Sequence, residues 1–195
     1  MAIRQGLLAL LDEGPAYGYQ LKTMFEERTG GTWPLNIGQV YTTLARCERD
    51  GLVAQLEADD EGRVVYEITA AGRVSVASWY AEPVRRDAAP RDELAIKLAV
   101  AVTAPGVDVA AIVQVQRTET MRTLQQLTRL KVDVDEASDM AWLLVLDRLI
   151  YDAEAEARWL DHCESRLVRT GAGATTGRRA AAGGPATARA RGGAR

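Results

Sequence analysis

The chain has 195 residues, of which 47% are hydrophobic and 26% charged, with a formal net charge of −3. That balance excludes a fibrous or wholly disordered protein, and the length suits a small domain beside a larger one. No basic segment precedes an apolar stretch at the N-terminus, and the apolar run Met140 to Leu146 falls far short of the ~18 residues of a membrane span, so the chain is expected to be cytoplasmic.

In chain order, Ile3, Leu7, Leu10 and Leu11 recur at helical spacing before Asp12-Glu13-Gly14-Pro15 breaks the pattern, which predicts a helix over 2–12. A second helix is expected from about Tyr17 through Leu21, Met24 and Phe25 to Arg28, ended by Gly30-Gly31, with Trp33-Pro34-Leu35 as a stiff connector. Asn36 is a good N-cap for a third helix whose inward stripe is Ile37, Val40, Leu44 and Cys47 and whose end is marked by Gly51. Leu52 to Leu56 and Arg63 to Ile68 read as two strands joined by an acidic turn, with Val64, Tyr66 and Ile68 on one face. Three helices and a hairpin within about 70 residues is the order of a winged helix-turn-helix, in which the third helix enters the major groove.

Past Gly72 the signals are helical only: roughly 70–82, 91–102, 107–131 and 135–168, separated by Pro83, by Pro90 and by Pro105-Gly106. On the last of these, Leu143, Leu146, Ile150, Ala153, Ala157 and Leu160 fall at alternating steps of three and four, a coiled-coil-like seam that calls for a partner helix and is assigned to dimerisation. Trp142 and Trp159 lie beside that seam, where aromatics fit either a dimer core or the wall of an apolar effector pocket. Residues 169–195 hold six arginines and no carboxylate side chain, so this tail is expected to be disordered. Its charge suits salt-sensitive nucleic-acid affinity and suits a solubilising tail equally well.

The third helix is the candidate reading surface. With its apolar stripe inward, Gln39, Thr42, Thr43, Arg46 and Arg49 point outward or flank it, and no carboxylate interrupts that face before Asp50. Gln39 matches adenine, Arg46 matches guanine or a phosphate, and the two threonines match a thymine methyl or a phosphate. Arg63 beyond the wing turn suits the backbone or minor groove, although Asp59, Asp60 and Glu61 beside it repel phosphate. Tyr17 and Tyr19 stand at a helix N-terminus, a natural phosphate site, with one of them expected in the core. The module as a whole is not basic: residues 1–70 contain six basic and eleven acidic side chains. That acidity leaves open a second class, a helical protein-interaction module that uses its winged helix for protein contacts.

Catalysis finds no constellation here. His162 is the single histidine, and its neighbours Asp161 and Cys163 point about 100° away from it on a helix, so no nucleophile-base pair forms. No metal-ligand spacing, phosphate loop or nucleophile elbow is present in the sequence, and no cofactor is expected. Cys47 and Cys163 both fall on apolar stripes, the ordinary place for a reduced, buried thiol.

The motifs Gly14-Pro15-Ala16-Tyr17-Gly18-Tyr19-Gln20-Leu21, Trp33-Pro34-Leu35-Asn36-Ile37-Gly38-Gln39-Val40-Tyr41-Thr42-Thr43-Leu44, Glu48-Arg49-Asp50-Gly51-Leu52-Val53 and Thr69-Ala70-Ala71-Gly72-Arg73 closely resemble the PadR family of transcriptional regulators. The helical remainder resembles the larger PadR subfamily with a virulence-activator-like C-terminal domain, through fragments such as Asp92-Glu93-Leu94-Ala95-Ile96-Lys97-Leu98. Asn36-Ile37 stands where the family commonly has Ser-Pro, and Cys47 where it has Leu. The resemblance places Tyr41 at the family's tyrosine position, where the ring packs and the hydroxyl either reaches a phosphate or serves structure alone. It implies a mainly α protein: a winged helix-turn-helix over 1–73, an all-α dimerisation and effector domain over 74–168, and the tail. It further implies a homodimeric repressor on an inverted-repeat operator, released by an apolar or aromatic small molecule.

Overall fold

In a computed structural model of the chain, residues 2–58, 61–85 and 91–170 are described. They form α1 (Ala2–Leu11), β1 (Ala16–Tyr17), α2 (Gly18–Arg28), α3 (Ile37–Arg49), β2 (Val53–Gln55), β3 (Val65–Ile68), α4 (Ala70–Ala81), α5 (Glu93–Ala101), α6 (Val109–Val132) and α7 (Met140–Thr170). The expected tail beyond Thr170 and the wing residues Asp59 and Asp60 lie outside the described residues. Two compact units result, one from residues 1–88 and 127–149, the other from 89–126 and 150–195.

The first unit is a winged helix-turn-helix. Leu7, Leu8 and Leu11 of α1, Leu21 of α2, Val40, Leu44 and Cys47 of α3, and Ile68 of β3 are all buried in one core, where each large aliphatic side chain contributes about 1.5–3 kcal/mol of hydrophobic stabilisation. Asn36 caps α3 by accepting from the Gly38 N–H at 2.8 Å, and Gly51, at φ +72°, takes the left-handed conformation that ends it. Ile37 departs from the expected inward stripe and is 37% exposed, because Leu35, buried in the connector, already fills the core position ahead of the helix.

The sheet has three antiparallel strands in the order β1-β3-β2, with Tyr17 opposite Val65 and Val53 opposite Ile68. Strand β1 takes Tyr17 out of the helix expected to start there, and Val64 lies before β3 and is exposed rather than sharing the inner face of Tyr66 and Ile68. Thr69 closes the wing: its hydroxyl donates to the Gly51 carbonyl at 2.8 Å and accepts from the Gly72 N–H at 3.1 Å, capping α4.

Residues 127–149 complete this unit. Lys131 Nζ pairs with Asp147 at 2.5 Å, Leu146 is fully buried, and the Trp142 ring occupies the space a side chain at Gly30 would need, since a Cβ there would lie 2.3 Å from it.

The second unit gathers Leu98 and Ala101 of α5, Val109 and Val113 of α6, and Leu160 and Leu167 of α7 into its own core. Gln114 donates to Glu164, Arg117 to Asp161, and both Gln116 and the buried Thr120 to Glu156. Numbers rise along α6 as they fall along α7, so the two helices run antiparallel in a register fixed by these pairs.

Candidate nucleic-acid interface

Two contacts set the position of α3 in the first unit, and a third ties α1 to α2. Arg4 of α1 pairs with Asp50 at 2.8 Å and holds the C-terminal end of α3. At the other end, Glu26 of α2 accepts from the Leu35 N–H at 2.9 Å, drawing the connector back against α2. Glu13 and Arg28 form a two-pronged pair, each contact 2.5 Å, between the loop after α1 and the end of α2; the guanidinium holds the Glu13 carboxyl below its ordinary range.

On the helix so fixed, Gln39, Thr42 and Arg46 are exposed along one face with Arg49 at its end, and Thr43 flanks it half-buried. Among the described residues no carboxylate pairs with Arg46, while Asp50 is engaged by Arg4 and Glu48 accepts from Gln55 at 2.9 Å. Arg46 is therefore free of a competing carboxylate although the module around it is acidic, whereas Arg49 at the end of the face lies 3.8 Å from Asp50. Thr42 and Thr43 donate to the Gly38 and Gln39 carbonyls, both at 2.7 Å, leaving each hydroxyl an acceptor and each methyl available for an apolar contact.

Tyr41 lies beside this face, 43% exposed, with its ring against Gly18. A Cβ at Gly18 would stand 2.7 Å from the ring edge, so glycine at the first position of α2 is a steric requirement of Tyr41. Tyr17 and Arg63 are brought together by the β1–β3 pairing, the guanidinium carbon 4.2 Å from the centre of the Tyr17 ring, and Arg63 also pairs with Glu61. Tyr17 is thus spent on the wing root, whereas Tyr19 is 59% exposed on α2. Cys47 is buried and its thiol pKa is pushed up by burial, as befits a core residue.

Residues 7–78 match the family described as Transcriptional regulator PadR-like family, and residues 90–168 match Virulence activator alpha C-term. The chain belongs to the PadR-like family of transcriptional regulators. Members of this PadR-like family are regulators and not enzymes, in keeping with the absence of a catalytic constellation from the sequence. A Mycobacterium tuberculosis protein named Probable transcriptional regulator Rv1176c is 28% identical over 185 residues, covering 86% of this chain and 98% of that one. Bacillus subtilis PadR in complex with operator DNA shares the fold at 18% identity and a TM-score of 0.64, covering 85% of this chain and 97% of its own. The same protein in complex with p-coumaric acid gives 18% identity, a TM-score of 0.67, and coverage of 86% and 99%.

Outside the winged helix, the sequence-derived seam divides. Leu146 and Leu160 are fully buried within their own chain, and Leu143, Ile150, Ala153 and Ala157 are half-buried, keeping surface that a partner can cover. Trp142 packs on Gly30 in the first unit, and Trp159 packs half-buried against the core of the second. Among the described residues no helix is long and apolar enough to cross a membrane, and no group of His, Cys, Asp and Glu is placed to hold a metal.

Sequence reasoning missed Gly18, Arg4 and Glu26 as parts of the site. Gly18 had a signal, since glycine is a poor helix former placed where a helix begins. Arg4 had none, because its partner Asp50 is remote in sequence, and Glu26 had none, because its partner is a backbone N–H in the connector, which leaves no side-chain pattern.

Proposed function

We propose that this PadR-like regulator is a cytoplasmic homodimer that binds an inverted-repeat operator through α3 and acts as a repressor. Residues 1–73 bind DNA in this reading, and residues 74–168 dimerise and respond to an effector. The observation that supports it most is the exposed face of Gln39, Thr42 and Arg46, with no carboxylate paired to Arg46, set on a helix clamped at both ends. The operator complex of the Bacillus subtilis neighbour supports the partner, and its p-coumaric acid complex supports release by a small apolar or aromatic molecule. Gln39 and Arg46 read base edges, Thr42, Thr43 and Tyr41 contact a thymine methyl or phosphates, Tyr19 and Arg63 approach the backbone, and Asn36 presents the helix N-terminus. Half-sites lie about one DNA turn apart, ~34–36 Å, with the spacing set by the helical C-terminal segment.

Binding to the protein's own upstream DNA tests this. Arg46→Ala is expected to weaken specific binding by about 1–3 kcal/mol, and affinity is expected to fall steeply with salt as condensed counterions are released. Unchanged affinity in both Arg46→Ala and Gln39→Ala would refute the choice of face. Salt-independent association with DNA would favour the protein-interaction reading.

A further inference from the structure

Four glycines stand inside the described helices, where glycine costs stability relative to alanine, and three of them have a reason in the core. A Cβ at Gly6 of α1 would lie 3.0 Å from the Phe25 ring, at Gly18 of α2 2.7 Å from Tyr41, and at Gly72 of α4 2.2 Å from the Leu52 carbonyl oxygen. Gly38 of α3 is the exception. Apart from its chain neighbours and the helix's own backbone, a Cβ there would meet only Asn36 Oδ1, at 3.2 Å, the tip of an exposed side chain. Its φ is not positive, so the backbone does not ask for glycine either.

Gly38 offers no free polar group. Its N–H donates to Asn36 Oδ1 at 2.8 Å, and its carbonyl accepts from the Thr42 hydroxyl at 2.7 Å. What the missing side chain leaves is room, and that room lies on the outer side of the helix. At about 100° per residue, Gly38 points within roughly 30° of the direction opposite Val40, Leu44 and Cys47, on the same exposed face as Thr42 and Arg46. Glycine permits close approach of a backbone to a ligand, and the N-terminal residues of a recognition helix are the ones that lie against base edges.

We infer that Gly38 sets how deeply α3 seats in the major groove. A side chain at this position would hold the helix off the floor of the groove and lift Gln39 and Arg46 away from the bases. Gly38 is thus a positioning residue that acts through its neighbours. The inference rests on the DNA-binding reading above and adds to it a depth of approach, which the choice of face alone does not fix.

Full-length Gly38→Ala and Gly38→Leu test it, with fluorescence anisotropy on the upstream DNA and on random-sequence DNA of the same length. Melting midpoints are expected to stay unchanged or rise by up to about 3 °C, since either residue is a better helix former than glycine. Affinity for the upstream DNA should fall about tenfold in Gly38→Ala and about a hundredfold in Gly38→Leu, the scale of losing one and then both bidentate base contacts. Affinity for random-sequence DNA, which rests on phosphate contacts, should change by less than about threefold. Strain on the Asn36 cap would come from the Cβ, which both variants share, so a loss graded with size belongs to the outer side.

Gly38→Leu that binds upstream DNA like the parent, while Arg46→Ala is weakened, overturns the seating and leaves the DNA reading intact. Equal drops in melting midpoint and equal losses of affinity in the two variants assign Gly38 to the Asn36 cap and overturn it as well. A parent protein that does not distinguish upstream from random-sequence DNA removes the DNA reading itself, and the inference with it.

Discussion

Gly18→Ala separates stability from DNA affinity in one substitution. The added methyl would stand 2.7 Å from Tyr41 Cε1 and 2.8 Å from Cζ, against an optimal carbon separation of about 3.5–4.0 Å, an overlap of roughly 1 Å. Both α2 and α3 are anchored in the core, whereas the Tyr41 ring is 43% exposed, so the ring gives way. Crowding of this kind costs about 1–3 kcal/mol, and replacing glycine by alanine in a helix returns up to about 1 kcal/mol. The unfolding free energy is therefore expected to fall by about 0–3 kcal/mol, measured by urea denaturation. If Tyr41 contacts a phosphate as proposed, a hydroxyl displaced by about 1 Å loses that contact, a loss of roughly 1.5 kcal/mol for a hydrogen bond to a charged group, or about tenfold in affinity. Fluorescence anisotropy on upstream DNA reads that loss. In a Tyr41→Phe background the crowding remains and the hydroxyl is gone, so Gly18→Ala should still lower stability but leave affinity unchanged. In Tyr41→Ala both effects of Gly18→Ala should vanish. A tenfold affinity loss that persists beside Tyr41→Phe would refute transmission through the hydroxyl.

Gly72→Ala should be far worse, because its methyl would meet the Leu52 carbonyl oxygen at 2.2 Å, a backbone atom that cannot swing aside; a loss of about 3 kcal/mol or more by urea denaturation is expected. Thr69→Ala removes both the α4 cap and the tie to Gly51 and should cost about 1–2 kcal/mol by the same measurement. Glu13 is held below its ordinary pKa by the Arg28 hydrogen bond, so the pair stabilises the fold above the usual carboxylate pKa and the benefit fades as pH falls through the lowered value. Glu13→Gln should therefore melt slightly below the parent at pH 7 and converge with it in acid; both side chains are nearly half exposed, which keeps the gap under about 1 kcal/mol.

What the sequence made legible follows from where each signal sits. Helix α3 announced itself because its cap, its stripe and its terminating glycine are all local, and the structure finds Asn36, Val40, Leu44, Cys47 and Gly51 in those roles. Strand β1 was hidden: two residues are too few to show alternation, and Tyr17 gains its extended conformation only by pairing with Val65. Ile37 fitted a helical period, yet a period cannot tell that Leu35 has already filled the core position beside it. The stripe on α7 taught a similar lesson. Steps of three and four record that some helix covers Leu160, and the core it shares with Val113 of its own α6 supplies one. The acidic total of the first 70 residues obscured the exposed α3 face, because the nearby carboxylates Glu48 and Asp50 are engaged by Gln55 and Arg4, partners that no linear count can assign.

The placement of Trp142 on Gly30 bears on how far this reading head can be exchanged between genes. A fusion that joins residues 1–88 to a foreign oligomerising segment omits 127–149 and with it the indole that covers Gly30, immediately ahead of the α3 connector. The left-handed turn at Gly30 would then face water on the side where it now meets a ring. Transplantation of specificity into another scaffold accordingly has to bring the tip formed by the end of α6 and the start of α7, two stretches of gene rather than one.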